Sequence, residues 1–152
     1  MIEKLRKKIF AWILKRQAAR KVVLPQWSAV RSVAVLYSNN NIQHIIKQIE
    51  KTNKEVVLFT LPDKKEINWL TERPRKEVHE LISARQFDVL IDLTQEPSRT
   101  MQYMAMDIQA DFKVGRFIKE GIHDLTIDTP SQATPDYLFE QILRYIDMFS
   151  QK

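Results

Sequence analysis

The amino-acid sequence predicts a three-layer α/β domain whose sheet is mostly parallel and has about five strands. Short apolar runs alternate along the chain with segments in which apolar residues recur at helical spacing. One stretch, residues 87–94, contains the nearly continuous apolar run VLIDL. A strand that is covered on both faces has this pattern, whereas a strand with one wet face alternates. We therefore expect residues 87–94 to form the central strand of the sheet.

The other elements are assigned from periodicity and turn chemistry, in chain order. Further strands are expected at residues 32–37, 55–61, 111–115 and 124–129. Helices are expected after the polar segment 38–41, from Pro74, over residues 101–108 and from Pro135. The inner face of the helix that begins near Pro74 is predicted to be Val78, Leu81 and Ile82. Because parallel strands are joined by right-handed crossovers, this alternation predicts a Rossmann-like fold.

The composition excludes several classes of site. The chain has 152 residues, no cysteine and only two glycines, Gly115 and Gly121. Disulfides and thiolate metal sites are therefore impossible, and the glycine-rich loops that hold dinucleotides or phosphates cannot form. The three histidines are far apart in sequence and match no metal-binding spacing. We accordingly expect no cofactor and no metal site.

The basic charge of the chain is concentrated at its N-terminus. Residues 1–21 hold eight of the 24 Lys and Arg residues and one of the 19 Asp and Glu residues. Apolar residues at helical spacing among these charges predict a basic amphipathic helix over residues 1–21, followed by a single domain over residues 22–152. Because this domain is close to neutral, nucleic acid is not expected as a partner.

Two interpretations of the N-terminal helix remain open. In the first, the helix docks Trp12 and its neighbours on the domain; in the second, it lies on an anionic membrane surface. The residues that would contact lipid are Lys4, Lys7, Lys8, Trp12, Lys15 and Arg16. Its apolar run is too short for a secretory signal or a bilayer span. We therefore expect a cytoplasmic protein, with membrane association as the open alternative.

The natural place for a ligand is the edge of the sheet where the central strand ends, because open parallel sheets bind ligands at the carboxyl ends of their strands. The candidate cleft residues there are Ser38, Asn39, Asn40, Asp92, Thr94, Gln95 and Arg99. A phosphoacceptor role for Asp92 is not expected, since residues 38–41 supply no acidic pair to hold Mg²⁺. We expect Asp92 to be structural, and we identify no catalytic residue.

Three segments carry a resemblance to known families: FDVLIDLT at 87–94, ADFKVG at 110–115 and HDLTID at 123–128. They resemble a small uncharacterised bacterial family, a domain of unknown function. They are more distantly similar to the acceptor-side half of heptosyltransferase-type (family 9) glycosyltransferases, which implies a transferase-like half-domain. Residues 38–41 depart from that pattern, because those enzymes carry a glycine and an aspartate general base at this place. The chain also ends where their nucleotide-sugar domain would begin.

Two hypotheses for the function follow. The first is a non-catalytic binding or interaction domain in the cytoplasm, with an unknown protein partner or small ligand, held at the inner membrane surface by residues 1–21. The second is an enzyme subunit, related to glycosyltransferases, that needs a partner for its nucleotide site. An accessible strand-end cleft with a perturbed carboxylate favours the second hypothesis. A filled cleft with an exposed apolar patch elsewhere favours the first.

Overall fold

A computed structural model describes residues 1–17, 22, 24–38, 42–95, 98–116, 121–130 and 133–150. The strands are β1 (Ser32–Leu36), β2 (Glu55–Phe59), β3 (Gln86–Asp92), β4 (Gln109–Arg116) and β5 (Leu125–Ile127). They form one all-parallel sheet in the order β2-β1-β3-β4-β5. This is the strand order of flavodoxin-like doubly wound folds. The prediction of a three-layer, Rossmann-like α/β fold is confirmed, and the strand expected at residues 87–94 is the central one.

Helices cover both faces of the sheet. They are α1 (Ile2–Lys15), α2 (Gln43–Glu50), α3 (Lys76–Ser83), α4 (Arg99–Asp107) and α5 (Pro135–Ser150). One buried cluster joins residues of α2 and α5 to one sheet face, and a second joins residues of α1, α3 and α4 to the other. Strand β3 contributes to both clusters: Val89 and Ile91 lie in the first, and Leu90 lies in the second. This two-sided burial explains why its sequence is apolar without alternation.

Two details differ from the sequence-based expectations. The first helix ends at Lys15. The amide groups of Arg16 and Gln17 bond to carbonyls three residues back and close a tight final turn. Residues 18–21 of the predicted helix lie outside the described part of the chain. Leu81 was predicted to be buried but is 77% exposed, since α3 lies at the margin of the sheet and only its Ile82 side is covered.

The register of the sheet brings three strand ends together. Asp92, the last residue of β3, is paired with Leu36 on β1 and with Gly115 on β4. The carboxyl ends of the three central strands therefore meet at one level, as expected for parallel neighbours. This is the edge at which the candidate cleft was predicted.

Candidate functional site

The side chain of Asp92 is the centre of a closed polar group at this edge. Its Oδ1 atom accepts hydrogen bonds from the Thr94 amide at 3.0 Å and from the Thr94 hydroxyl at 2.6 Å. Its Oδ2 atom lies 2.8 Å from Nε2 of His123. Because a carboxylate only accepts, His123 donates through Nε2. The carboxylate thus has three donors, all supplied by the protein.

Burial makes this group structural in character. The side chains of His123 and Asp92 are 0% and 2% exposed, and Thr94 is fully buried. A buried carboxylate needs hydrogen-bond donors in place of water, and Thr94 and His123 supply them. Nδ1 of His123 finds no hydrogen-bond partner among the described residues. The arrangement holds the end of β3 to the residues just before β5, and it leaves Asp92 no exposed surface with which to bind a substrate.

Gly115 makes room for the contact between Asp92 and His123. A Cβ atom built on Gly115 would lie 2.9 Å from Cβ of Asp92 and 2.9 Å from Nε2 of His123. Both distances are well inside van der Waals contact, so any side chain at this position would separate the pair. The glycine that ends the ADFKVG segment is therefore explained by close approach.

Sequence reasoning missed His123, because it was assessed only for metal-ligand spacing. The pairing joins residues 31 positions apart and depends on which strand follows β4 in the sheet. A histidine immediately before the last predicted strand was the one available signal. Without the strand order, that signal could not be connected to Asp92.

Gln95, another predicted cleft residue, has partners other than Asp92. Gln95 donates from Nε2 to the Ala133 carbonyl at 2.6 Å, and its own carbonyl accepts from Arg116. Ser38 lies half-buried two residues after the end of β1. Asn39 and Asn40 lie outside the described residues.

Arg99 belongs to a different cluster, which joins α1 to the domain. Its guanidinium donates to the carboxylates of Glu72 and Glu3, and Nε of Arg6 lies 3.8 Å from Glu72. The hydrogen bond from Arg99 lowers the pKa of the Glu3 carboxyl, and the same bond raises the pKa of Arg99. Because Glu3 and Arg6 lie on α1, this cluster positions the helix rather than a ligand.

Helix α1 docks on the domain through Phe10. This side chain is 4% exposed, and its ring meets the ring of Tyr103 edge to face with 4.9 Å between the centroids. Ile13 and Leu14 pack partly against the same cluster. In the first interpretation of this helix, Trp12 and its neighbours dock on the domain; its neighbours Phe10, Ile13 and Leu14 do so, whereas Trp12 itself is 58% exposed. The apolar surface of the helix is wide, and Phe10 lies on the part of it that meets the core.

The predicted lipid-contacting residues all lie on the surface. Each of Lys4, Lys7, Lys8, Trp12, Lys15 and Arg16 is exposed. The Arg16 guanidinium stacks 4.6 Å from the centre of the Trp12 ring. Ile2 and Leu5 are also exposed, at 41% and 46%. The spacing of Ile2, Leu5 and Trp12 places them on one outward stripe of the helix.

Two further polar groups escaped sequence reasoning. Lys113 is buried, and its Nζ donates to the carbonyls of Ala105 and Met106, each at 2.9 Å, where α4 ends. Nδ1 of His79 lies 3.0 Å from Oδ2 of the buried Asp107 carboxylate, whose Oδ1 accepts a hydrogen bond from Arg73 at 2.9 Å. Lys113 thus satisfies carbonyls in the C-terminal turn of α4. Over the described ranges, no group of three or more His, Asp and Glu residues is placed to hold a metal ion.

These observations define a doubly wound α/β domain with a closed polar group at its strand ends and an added basic helix. The model of a family of unknown function, DUF6913, matches residues 24–149, and the chain therefore belongs to this family. The matched region contains the whole sheet and begins after α1. No curated protein matches the chain significantly. The resemblance to heptosyltransferase-type enzymes accordingly stays a prediction. Within the described residues, no helix has the length and apolar character needed to cross a membrane.

Proposed function

We propose that this protein is a non-catalytic cytoplasmic interaction domain that binds an anionic membrane surface through α1. The observation that carries the proposal is that the apolar surface of α1 extends beyond the part that docks on the domain. Phe10 fixes one part to the domain, while Ile2, Leu5 and Trp12 point outward. A surface helix of a globular protein needs only one apolar stripe to dock on its core. The exposed part is available for another apolar phase.

The charges of α1 complement an anionic lipid surface. Lys4, Lys8 and Lys15 recur at helical spacing beside the stripe that carries Ile2, Leu5 and Trp12. Each Lys or Arg near an anionic leaflet contributes about 1 kcal/mol to binding at physiological ionic strength. Trp side chains favour the headgroup region, since the indole has a large apolar surface and one polar N–H group. A helix lying in the interface with its lysines toward the phosphates uses both contributions.

The strand-end group supports the non-catalytic part of the proposal. A general base must be within hydrogen-bond reach of a substrate proton. The carboxylate of Asp92 is buried and accepts from Thr94 and His123, and Arg99 is held by Glu3 and Glu72. A transferase-like half-domain would need at least one of these side chains to face an open cleft. The exposed stripe on α1 and the buried, hydrogen-bonded carboxylate of Asp92 both favour an interaction domain.

Co-sedimentation with vesicles tests the proposal. The full chain should sediment with vesicles that contain phosphatidylserine, not with purely phosphatidylcholine vesicles, and raising the salt concentration should weaken the binding. Point variants are better probes than removal of α1, because removal would uncover Tyr103 and destabilise the domain. Trp12→Ala should weaken binding several-fold and leave the melting temperature unchanged.

A matched pair of variants separates lipid contact from folding. Exchanging Lys4 and Lys8 for Glu should abolish capture, whereas exchanging the exposed Lys64 and Lys65, which are not part of α1, should leave it intact. Equal capture by neutral and anionic vesicles would contradict the proposal, as would full capture of the Lys4 and Lys8 variant.

A further inference from the structure

Strand β2 forms an open edge of the sheet, and its backbone polar groups point outward at two positions. The Glu55 amide donates to the Arg31 carbonyl at 2.8 Å, and the Phe59 carbonyl accepts from the Tyr37 amide at 3.0 Å. Residues 55, 57 and 59 therefore direct their backbone groups toward β1. In a parallel pair, alternate residues face opposite sides. The amide and carbonyl groups of Val56 and Leu58 consequently face away from the sheet, and in the described part of the chain no strand pairs with that side.

This edge lacks the features that usually prevent pairing with another chain. Natural edge strands are blunted by proline, lysine, bulges or short length. Strand β2 has the sequence EVVLF, without proline or lysine, and Leu58 is 40% exposed. Beside it lie two more exposed leucines, Leu61 at 49% and Leu81 at 77%, which line a groove between β2 and α3. The opposite edge strand, β5, has only three residues, so β2 offers the longer pairing edge.

We infer that β2 pairs in the antiparallel direction with β2 of a second copy of this chain. A two-fold axis at Val57 places Val56 of one copy opposite Leu58 of the other. Both residues direct their amide and carbonyl groups outward, so each such pair exchanges two hydrogen bonds, and the symmetry repeats the exchange. The register is self-complementary because the outward positions are equally spaced about Val57. The result is one continuous sheet across two copies.

Charge at the ends of the strand favours this direction. Exposed Lys51 lies at the end of α2, four residues before β2, and exposed Asp63 lies four residues after β2. Antiparallel pairing brings the beginning of one β2 beside the end of the other, so Lys51 of each copy approaches Asp63 of the second copy. Parallel pairing would instead bring like charges together at each end, which is unfavourable. Glu55 is already paired with Arg85 of its own chain, and that pair needs no rearrangement.

Sedimentation velocity over a range of protein concentrations tests the inference. The unmodified chain should shift from monomer to dimer as its concentration rises. Leu58→Pro should weaken self-association at least tenfold, because proline removes an outward amide and is tolerated on the free side of an edge strand. Leu81→Lys is the control: it charges the exposed groove beside β2 but leaves the strand unchanged, and it should still dimerise. A chain that stays monomeric, or a Leu58→Pro variant that dimerises normally, overturns the inference.

Cysteine cross-linking tests the register independently of affinity. The chain has no cysteine, so a single introduced thiol reports only contact with its own counterpart. In the proposed register, the two Val57 residues face each other as a non-hydrogen-bonded pair with Cα atoms about 4.5 Å apart, within the range of about 4.4–6.8 Å that a disulfide spans. Val57→Cys should cross-link rapidly on oxidation, and Thr60→Cys should not. Equal rates for the two variants would refute the register.

Discussion

Replacing Gly115 by alanine should separate the end of β3 from His123. The new Cβ atom would lie 2.9 Å from Cβ of Asp92, 2.9 Å from Nε2 of His123 and 3.1 Å from the Asp92 carbonyl oxygen. Two of these neighbours belong to the backbone or are attached directly to it, so they cannot rotate away. The histidine can move, but only by giving up its 2.8 Å contact with the Asp92 carboxylate.

The structure gives the magnitude of this effect. Overpacking a buried site costs about 1–3 kcal/mol, and losing a hydrogen bond to a charged group costs about 1.5–3 kcal/mol. Alanine also makes the unfolded chain less flexible, which offsets roughly 0.4–1 kcal/mol of this destabilisation. We expect Gly115→Ala to lower the free energy of unfolding by about 3 kcal/mol. For a domain of this size, that loss lowers the melting temperature by roughly 6–12 °C.

Urea unfolding followed by tryptophan fluorescence measures this loss of stability, and two control variants identify its cause. In a His123→Ala background the hydrogen bond and one clash are already gone, so the same glycine substitution should cost only about half as much. Gly121→Ala tests backbone strain alone, since φ at Gly121 is +94° but the nearest side-chain atom would be 3.8 Å from the new Cβ; it should cost about 1 kcal/mol. A cost for Gly115→Ala below about 0.5 kcal/mol, or an equal cost in both backgrounds, would refute the reasoning.

Two further predictions concern the docking of α1. Phe10→Ala should destabilise the protein by about 3–5 kcal/mol, because it removes a buried aromatic side chain. Trp12→Ala should change the free energy of unfolding by less than about 0.5 kcal/mol. Thermal unfolding compares the two variants, and equal losses of stability would contradict docking through Phe10. The ion pair between Glu3 and Arg99 should make α1 docking sensitive to acid. The hydrogen bond from Arg99 lowers the pKa of Glu3 in the folded state. The stability that Glu3 contributes is therefore present above the unfolded-state pKa of Glu3 and is lost as the pH falls through its folded-state pKa. Melting temperatures measured from about pH 5 downward should therefore fall more steeply for the native chain than for Glu3→Gln, and parallel curves would contradict the assignment.

The candidate site was only partly predictable from sequence. Asp92 and Thr94 were identified because a buried parallel strand places its last residues at the ligand-binding edge of a sheet. Arg99 was assigned to the same edge from its position near the start of a helix, yet its partners are Glu3, 96 residues away, and Glu72. No local pattern reports such a pairing, since an ion pair depends on where two unrelated segments come to lie.

The first helix was also only partly predictable from sequence. Its amphipathic pattern and basic charge were evident from residue spacing, and both interpretations that this pattern left open rested on Trp12. The structure assigns docking to Phe10 and leaves Trp12 at the surface. Periodicity identifies which residues share a face of a helix, but it does not identify which part of a wide apolar face meets the core.

By itself, the sequence determined the class of fold, the central position of residues 87–94 and the exclusion of glycine-rich phosphate loops and thiolate chemistry. These conclusions follow from local properties, namely hydrophobic periodicity and the presence or absence of a residue type. Only the tertiary structure decided that Gly115 lets His123 reach Asp92, that β2 lies at an open edge, and that α1 presents part of its apolar surface outward. Each of these depends on strand order and on packing between segments distant in the chain, and such contacts leave no periodic signal in the sequence.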